Sequence, residues 1–179
     1  MLDTERLFYF SGADLMTDPQ ASATGTPNFV SIAQAQDYLG KDLGSSDWLE
    51  ITQERVNQFA QATGDFQFIH MDPERAAKES PFGGTIAHGF LTLSLLSMLS
   101  AQSPTIKIQG CSVSINYGLD KVRFLNPVAV GSRIRAHFTL VSAVEKSPGA
   151  YLVKHKITVE TEGADKPAMI AEWLGMSVI

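Results

Sequence analysis

The chain has a single cysteine, Cys111, among 179 residues. One thiol can form neither an internal disulfide nor, by itself, a thiolate zinc site, which excludes a disulfide-stapled secreted scaffold and a cysteine-ligated metal centre. Charged residues are also few, at 18%, and the 14 Lys and Arg do not gather into a basic cluster against the 19 Asp and Glu. We therefore expect neither nucleic acid nor an anionic membrane surface as a partner.

A long hydrophobic run is missing as well. The N-terminus carries Asp3 and Glu5, whereas a signal peptide carries positive charge there. The longest charge-free stretch, residues 80–106, is interrupted by Gly83 and His88 and lacks the roughly 20 consecutive apolar residues of a membrane span. We therefore expect a cytoplasmic protein without a membrane partner.

The length suits one domain. Residues 1–28 are rich in small and polar residues toward their end and predict an N-terminal extension, which leaves 29–179 as the folded domain. Helix signals follow in the first half of this domain. Thr52 is placed to cap a helix that ends at Gly64, and Asp72, followed by proline, is placed to cap another.

The segment 86–101 is apolar nearly all round and predicts a helix that is buried on most of its surface. Ser94 and Ser97 share one face of this helix. We expect their hydroxyls to donate hydrogen bonds either inward or to the main-chain carbonyl four residues earlier. After Pro104 the apolar residues alternate, and short turns between the alternating segments predict an antiparallel sheet. The expected fold is α+β, with a long central helix wrapped by the sheet.

Two side chains that can exchange protons lie close together in the sequence. Asp65 and His70 occupy a loop between two predicted helices, in the company of Phe66 and Phe68. Partial desolvation there would raise the pKa of the carboxyl and lower that of the imidazole, and such a pair can exchange protons with a water near neutral pH. The structural alternative is that Asp65 caps a turn and His70 is simply packed.

His88 and Gly89 open the predicted central helix. Unpaired N–H groups at a helix start favour an oxygen that develops negative charge, and a glycine lets a ligand approach closely. Equally, Gly89 permits tight packing of another segment and His88 is a core residue. His137 and His155 lie in the alternating segments, and we expect both to be solvated or interface residues.

These stretches together resemble the hydratase-2 motif of the MaoC-like (R)-specific enoyl-CoA hydratases and dehydratases, which have the hot-dog fold. The resemblance covers roughly residues 38–179 and is closer to the NodN-like branch, because Gly64-Asp65-x-Gln67-x-Ile69-His70 and the stretch 115–124 both resemble signatures of that branch. Gln67-Phe68 stands where the better-known hydratases have Asn-Pro, and the NodN-like branch shares this difference. The resemblance rests on Gly64-Asp65-x-Gln67-x-Ile69-His70-x-Asp72, on Phe82-Gly83-x-x-Ile86-Ala87-His88-Gly89, and on the stretch 115–124.

The resemblance implies a role for each site residue. Asp65 and His70 form the catalytic dyad, the Gly89 amide and His88 bind the thioester oxygen of the substrate, and Ser97 supports the aspartate. The implied reaction is reversible syn addition of water to a trans-2-enoyl thioester, which gives an (R)-3-hydroxyacyl thioester. No metal or redox cofactor is implied, and coenzyme A or acyl carrier protein enters only as the carrier of the acyl substrate.

Two other functions remain open from the sequence. One is a hot-dog acyl-CoA thioesterase, and the other is a non-catalytic subunit that binds acyl thioesters. Whatever the function, we expect a homodimer, because a single hot-dog layer leaves one sheet edge unpaired.

Overall fold

A computed structural model of the protein describes residues 27–179. The predicted extension, residues 1–28, lies outside this range except for its last two residues. Strand β1 (Asn28–Val30) pairs in parallel with β4 (Ile106–Ile108) as a small separate sheet. The sequence pattern did not predict this pair, because three residues are too few for alternation to be recognised.

Short helices occupy the chain between residues 32 and 101. The side chain of Thr52 accepts the N–H of Arg55 at the start of the second helix, which ends at Gly64 with φ of 78°. Asp72 caps the fourth helix by accepting the N–H of Arg75. Both predicted caps and the predicted stop are confirmed. The helices are α1 (Ile32–Ala35), α2 (Gln53–Thr63), α3 (Phe68–Met71), α4 (Pro73–Glu79), α5 (Gly89–Ser94) and α6 (Leu96–Ala101), with a 3-10 turn at Gln36–Tyr38.

The predicted central helix is shorter and less buried than its composition indicates. It starts at Gly89 rather than Ile86 and is interrupted at Leu95, between α5 and α6. One face packs into the core, while the other face, with Ser94 and Ser97, is exposed. Among residues 27–179, no helix is long and apolar enough to cross a bilayer. The buried side chains of the central segment are Leu91, Thr92, Leu95, Leu96 and Leu99.

The second half of the chain folds into the predicted antiparallel sheet. The order of its strands is β2, β6, β7, β8, β5, and β3 also pairs with β6. Two predicted strands, around 113–117 and 122–124, form one continuous strand with two register shifts. The strands are β2 (Asp42–Ser45), β3 (Leu49–Glu50), β5 (Val113–Phe124), β6 (Arg133–Ser147), β7 (Ala150–Thr161) and β8 (Met169–Val178).

The main core lies between this sheet and the central helix. Alternate residues of β6 and β7 face inward, because successive side chains of a strand point to opposite faces. They form one cluster with the buried face of α5 and α6 and with Val56 of α2. The α+β architecture, a central helix wrapped by an antiparallel sheet, is confirmed. The inward residues of β6 and β7 in this cluster are Ile134, Ala136, Phe138, Ile157 and Val159.

One edge of the sheet is formed by β5, which pairs with β8 alone among the described strands. Ten of its twelve residues are exposed, and its apolar side chains include Ile115 at 52% and Tyr117 at 62% exposure. The shifts in its register lie between Asn116 and Gly118 and between Leu119 and Lys121. The structure of the single chain therefore leaves an apolar sheet edge uncovered.

Candidate active site

His70 lies on α3, a single helical turn, with its side chain only 7% exposed. Its Nδ1 is 2.7 Å from the carbonyl oxygen of Ile86. Because a carbonyl can only accept, Nδ1–H donates and Nε2 of the neutral ring keeps its lone pair. Burial lowers the pKa of His70; the bond to Ile86 opposes this, the charge of a protonated His88 adds to it, and the charge of Asp65 opposes it. His70 is therefore held as a neutral imidazole that can accept a proton at Nε2.

A glutamine on α2 holds the same turn in place. Nε2 of Gln53 donates to the carbonyl oxygen of His70 at 2.7 Å and to Oδ1 of Asn57 at 2.9 Å. Its Oε1 accepts the hydroxyl of Thr85 at 2.7 Å. The sequence analysis missed Gln53, because a glutamine on a helix carries no pattern of its own. Its side chain connects α2, the turn α3 that carries His70, and the segment that leads to α5.

His88 is the residue that precedes α5, and it is 3% exposed. Its ring stacks on that of His70, with centroids 3.8 Å apart, and lies 5.1 Å from the ring centroid of Phe59. Its Nε2 donates to the main-chain carbonyl oxygen of Asp65 at 3.0 Å. His88 thus fixes the loop that carries Asp65 against the start of the central helix.

The carboxylate of Asp65 and one ring nitrogen from each of His70 and His88 lie within 4.8 Å of one another. Two hydrogen bonds of about 2.8 Å span such a distance, so one water can bridge the carboxylate and His70. Two imidazoles and a carboxylate are also ligands for a divalent transition metal. Asp65 itself is exposed, so the expected desolvation applies to His70 and not to the aspartate.

Gly89 is the first residue of α5 and lies against the ring of Phe124. A Cβ added at Gly89 would come within 3.0–3.1 Å of that ring, so the ring would have to shift by a few tenths of an ångström to admit any larger residue. The helical hydrogen bonds of this turn start with the N–H groups of Leu91 and Thr92, which both reach the carbonyl of His88. The Gly89 N–H therefore lies outside the helical ladder, at the cavity beside His70.

One open cavity of about 410 Å³ brings most of the predicted site residues together. Ser97 lies further along the helix and lines the adjoining cavity of about 310 Å³. Ser94 borders both cavities, and its hydroxyl donates back to the carbonyl of Phe90 at 2.8 Å, which was the structural alternative. The predicted site residues around the first cavity are Asp65, His70, His88 and Gly89.

Comparison with known proteins identifies the family of the chain. The family model described as MaoC like domain matches residues 34–163. The 3-hydroxyacyl-thioester dehydratase Z of Mycobacterium tuberculosis is 54% identical over 144 residues, which cover 80% of this chain and 93% of the relative. Nodulation protein N of Rhizobium leguminosarum is 47% identical over 145 residues, 81% of this chain and 89% of the relative.

A solved structure shares the fold. The (R)-hydratase from A. caviae involved in PHA biosynthesis superposes with a TM-score of 0.60 at 28% identity, covering 74% of this chain and 94% of that one. The expected hot-dog fold is thereby confirmed. The family model, the relatives and the fold agree, and the chain belongs to the MaoC-like hydratase and dehydratase family, with relatives in its NodN-like branch.

Proposed function

We propose that the protein is an (R)-specific enoyl-thioester hydratase, which adds water reversibly and syn to a trans-2-enoyl thioester. The observation that carries this proposal is the arrangement around one cavity. The lone pair of His70, the carboxylate of Asp65 and the amide of Gly89 converge there within reach of one small reactant.

The proton transfers follow from the hydrogen bonds of His70. Its Nδ1–H is committed to the Ile86 carbonyl, so Nε2 accepts one proton of the water while Asp65 accepts a second hydrogen bond and orients it. The water oxygen forms a bond to C3 as the C2–C3 double bond shifts toward the thioester. The imidazolium then returns the proton to C2. Because oxygen and proton arrive from the same face, the addition is syn.

The thioester oxygen carries negative charge as the bond to C3 forms. The Gly89 N–H, outside the helical ladder, donates to this oxygen in the proposed complex. A donor of this kind contributes about 2.7–4 kcal/mol to the transition state when its loss is measured in other enzymes. The attacking water, the His70 base and the Gly89 amide account for every step, so the proposal includes no metal or redox cofactor. Coenzyme A or acyl carrier protein enters only as the carrier.

We also propose that two copies associate through the β5 edge into a homodimer with a continuous sheet. The support is the exposed apolar row of β5, which an antiparallel partner strand would cover. Sedimentation should show a dimer, and Ile115→Lys should weaken it. Val141→Lys, at an exposed apolar position on β6, is the matched control and should leave the dimer intact. A stable monomer at micromolar concentration contradicts this proposal.

Hydration is tested by following the loss of the conjugated thioester absorbance of short and medium trans-2-enoyl-CoA substrates. Asp65→Asn and His70→Gln should each abolish turnover without unfolding the protein. Asp165→Asn and His137→Gln, outside the cavity, are matched controls and should retain it. Release of free thiol would instead indicate a thioesterase. Binding without turnover, unchanged by the dyad variants, would indicate a non-catalytic binding subunit.

A further inference from the structure

Three cavities follow one another along the exposed face of α5 and α6. The first is bordered by Asp65 and His70, and it shares Ser94 with the second. The second shares Asn116 and Trp173 with the third, which lies at the end of α6. Since neighbouring cavities have walls in common, they form one row that leads away from the dyad between the helix and strands β5 and β8.

The row is long enough for an extended acyl tail. Gly89 stands at its start and Ser100 borders its last cavity. A helical rise of about 1.5 Å per residue places these two residues about 16 Å apart along the helix. A short acyl group held at the dyad would therefore end in the first two cavities, and only a longer tail would reach the third.

His155 borders that last cavity and is 8% exposed, so the expectation of a solvated or interface residue is wrong. It lies on the inward face of β7, opposite Trp173 of β8, with its ring 6.3 Å from and edge-on to that of Phe138. Among residues 27–179, its Nε2 is fully buried and has no hydrogen-bond partner. Burial lowers the pKa of His155 to about 4, which keeps the ring neutral near pH 7.

Other polar side chains surround the same cavity of about 90 Å³. They are Ser100 at the end of α6, Thr105 after it, Lys107 on β4, Ser114 and Asn116 on β5, and Ser177 on β8. A purely aliphatic tail would leave His155 buried and unpaired, at a cost in free energy. A hydroxyl group can donate to or accept from a neutral imidazole and satisfies it with either ring tautomer.

We propose that the row of cavities is the acyl channel and that His155 binds an oxygen function, a hydroxyl or a ketone, carried near the far end of the acyl tail. The proposal rests on the hydratase function above and names its substrate class as long acyl thioesters that are oxygenated at the distal end. His155 is then a specificity-determining residue remote from the reacting carbons.

The test measures binding separately from turnover. Saturated acyl-CoA thioesters cannot be hydrated, so their dissociation constants are measured by calorimetry on the full chain. At each length of a series, a tail that ends in a methyl group is compared with one that ends in a hydroxyl. At lengths that reach the third cavity, the hydroxyl tail should bind roughly tenfold more tightly.

Variants assign this preference to His155. His155→Phe should abolish the preference, and His155→Gln, which keeps hydrogen-bonding capacity, should restore part of it. His137→Phe, on the opposite face of the neighbouring strand, should keep it. If His155→Phe does not fold, nitrogen NMR of the wild-type histidines replaces it. A ring-nitrogen resonance of His155 should then shift with the hydroxyl tail and not with the methyl tail.

Several outcomes overturn the proposal. These are equal or tighter binding of the methyl tail at every length, a preference that survives in His155→Phe, or no binding of either tail. Each would contradict the binding of a substrate oxygen by His155. A hydroxyl preference without turnover of the matching enoyl thioesters has a different meaning. It would support the binding site and contradict the proposed hydratase function.

Discussion

The imidazole rings of His70 and His88 stack with centroids 3.8 Å apart and 26° between their planes. Each ring donates one N–H hydrogen bond to a main-chain carbonyl: His70 donates to Ile86, and His88 donates to Asp65. Burial disfavours a positive charge on His70, and the adjacent His88 ring adds to this because like charges repel. The stack therefore helps to keep the proton-accepting nitrogen of His70 unprotonated.

The dependence of the hydration rate on pH should show that His70 stays neutral in mild acid. Because the pKa of His70 is lowered, kcat/KM should fall on acidification with a midpoint below the ordinary histidine value of about 6.5. His88→Asn removes a neighbouring charge that lowers this pKa, so the midpoint should move to higher pH. His137→Asn, away from the dyad, should leave the midpoint unchanged. If the midpoint in His88→Asn is unchanged or moves to lower pH, His70 is not the group whose protonation sets it.

Gln53 offers a test of positioning. Gln53→Leu removes the bonds to the His70 carbonyl and the Thr85 hydroxyl, so the catalytic turn should shift. Loss of alignment of this kind lowers kcat by about 10²-fold in other enzymes, and we expect a loss of that order. Gln58→Leu, on the same helix with a side chain that donates to Glu54, is the matched control. Equal kinetics for the two variants would mean that Gln53 is not a positioning residue.

Gly89 is constrained by Phe124. Gly89→Ala places a methyl group within 3.0–3.1 Å of the Phe124 ring, so either the ring or the start of α5 must move. We expect a fall in kcat/KM of about 10²-fold, comparable to the loss of an oxyanion donor. The double variant Gly89→Ala/Phe124→Ala should recover part of the activity. Gly84→Ala, where a methyl group meets no atom within 4 Å, should behave as wild type.

His155 should contribute to the loss of stability in acid. Its folded pKa is about 4 and its unfolded pKa about 6.5, so the unfolded chain binds more protons between these values. The free energy of unfolding should therefore fall as the pH decreases from 6.5 to 4, by about 3 kcal/mol from this residue. Urea titrations of the wild type and His155→Phe across this range measure the difference. If the two proteins lose equal stability, His155 is not buried in its neutral form.

Local chemistry made part of this structure predictable. The ends of α2 and the start of α4 could be predicted, because Thr52, Gly64 and Asp72 interact only with residues a few positions away. Asp65 and His70 were recognisable because they are close in sequence, although the expected loop is partly wrong: His70 lies on the helical turn α3.

Long-range contacts account for what the sequence did not predict. Alternation along β7 places His155 on the same face as Val153 and Ile157, but how completely that face is covered depends on β6, β8 and the end of α6 together. The role of Gln53 depends on α3 and Thr85, which only the tertiary fold brings to α2. The break at Leu95 likewise has no local signal such as proline or glycine.

The two register shifts in β5 limit how many further strands could stack on this edge of the sheet. Each shift is an irregularity that increases local twist and interrupts the even row of N–H and C=O groups along an edge. Asp120 and Lys121 add charges at the second shift. An edge with bulges and charges accepts one complementary strand but is a poor template for indefinite stacking into fibrils. The same strand thus favours a closed assembly over open-ended aggregation.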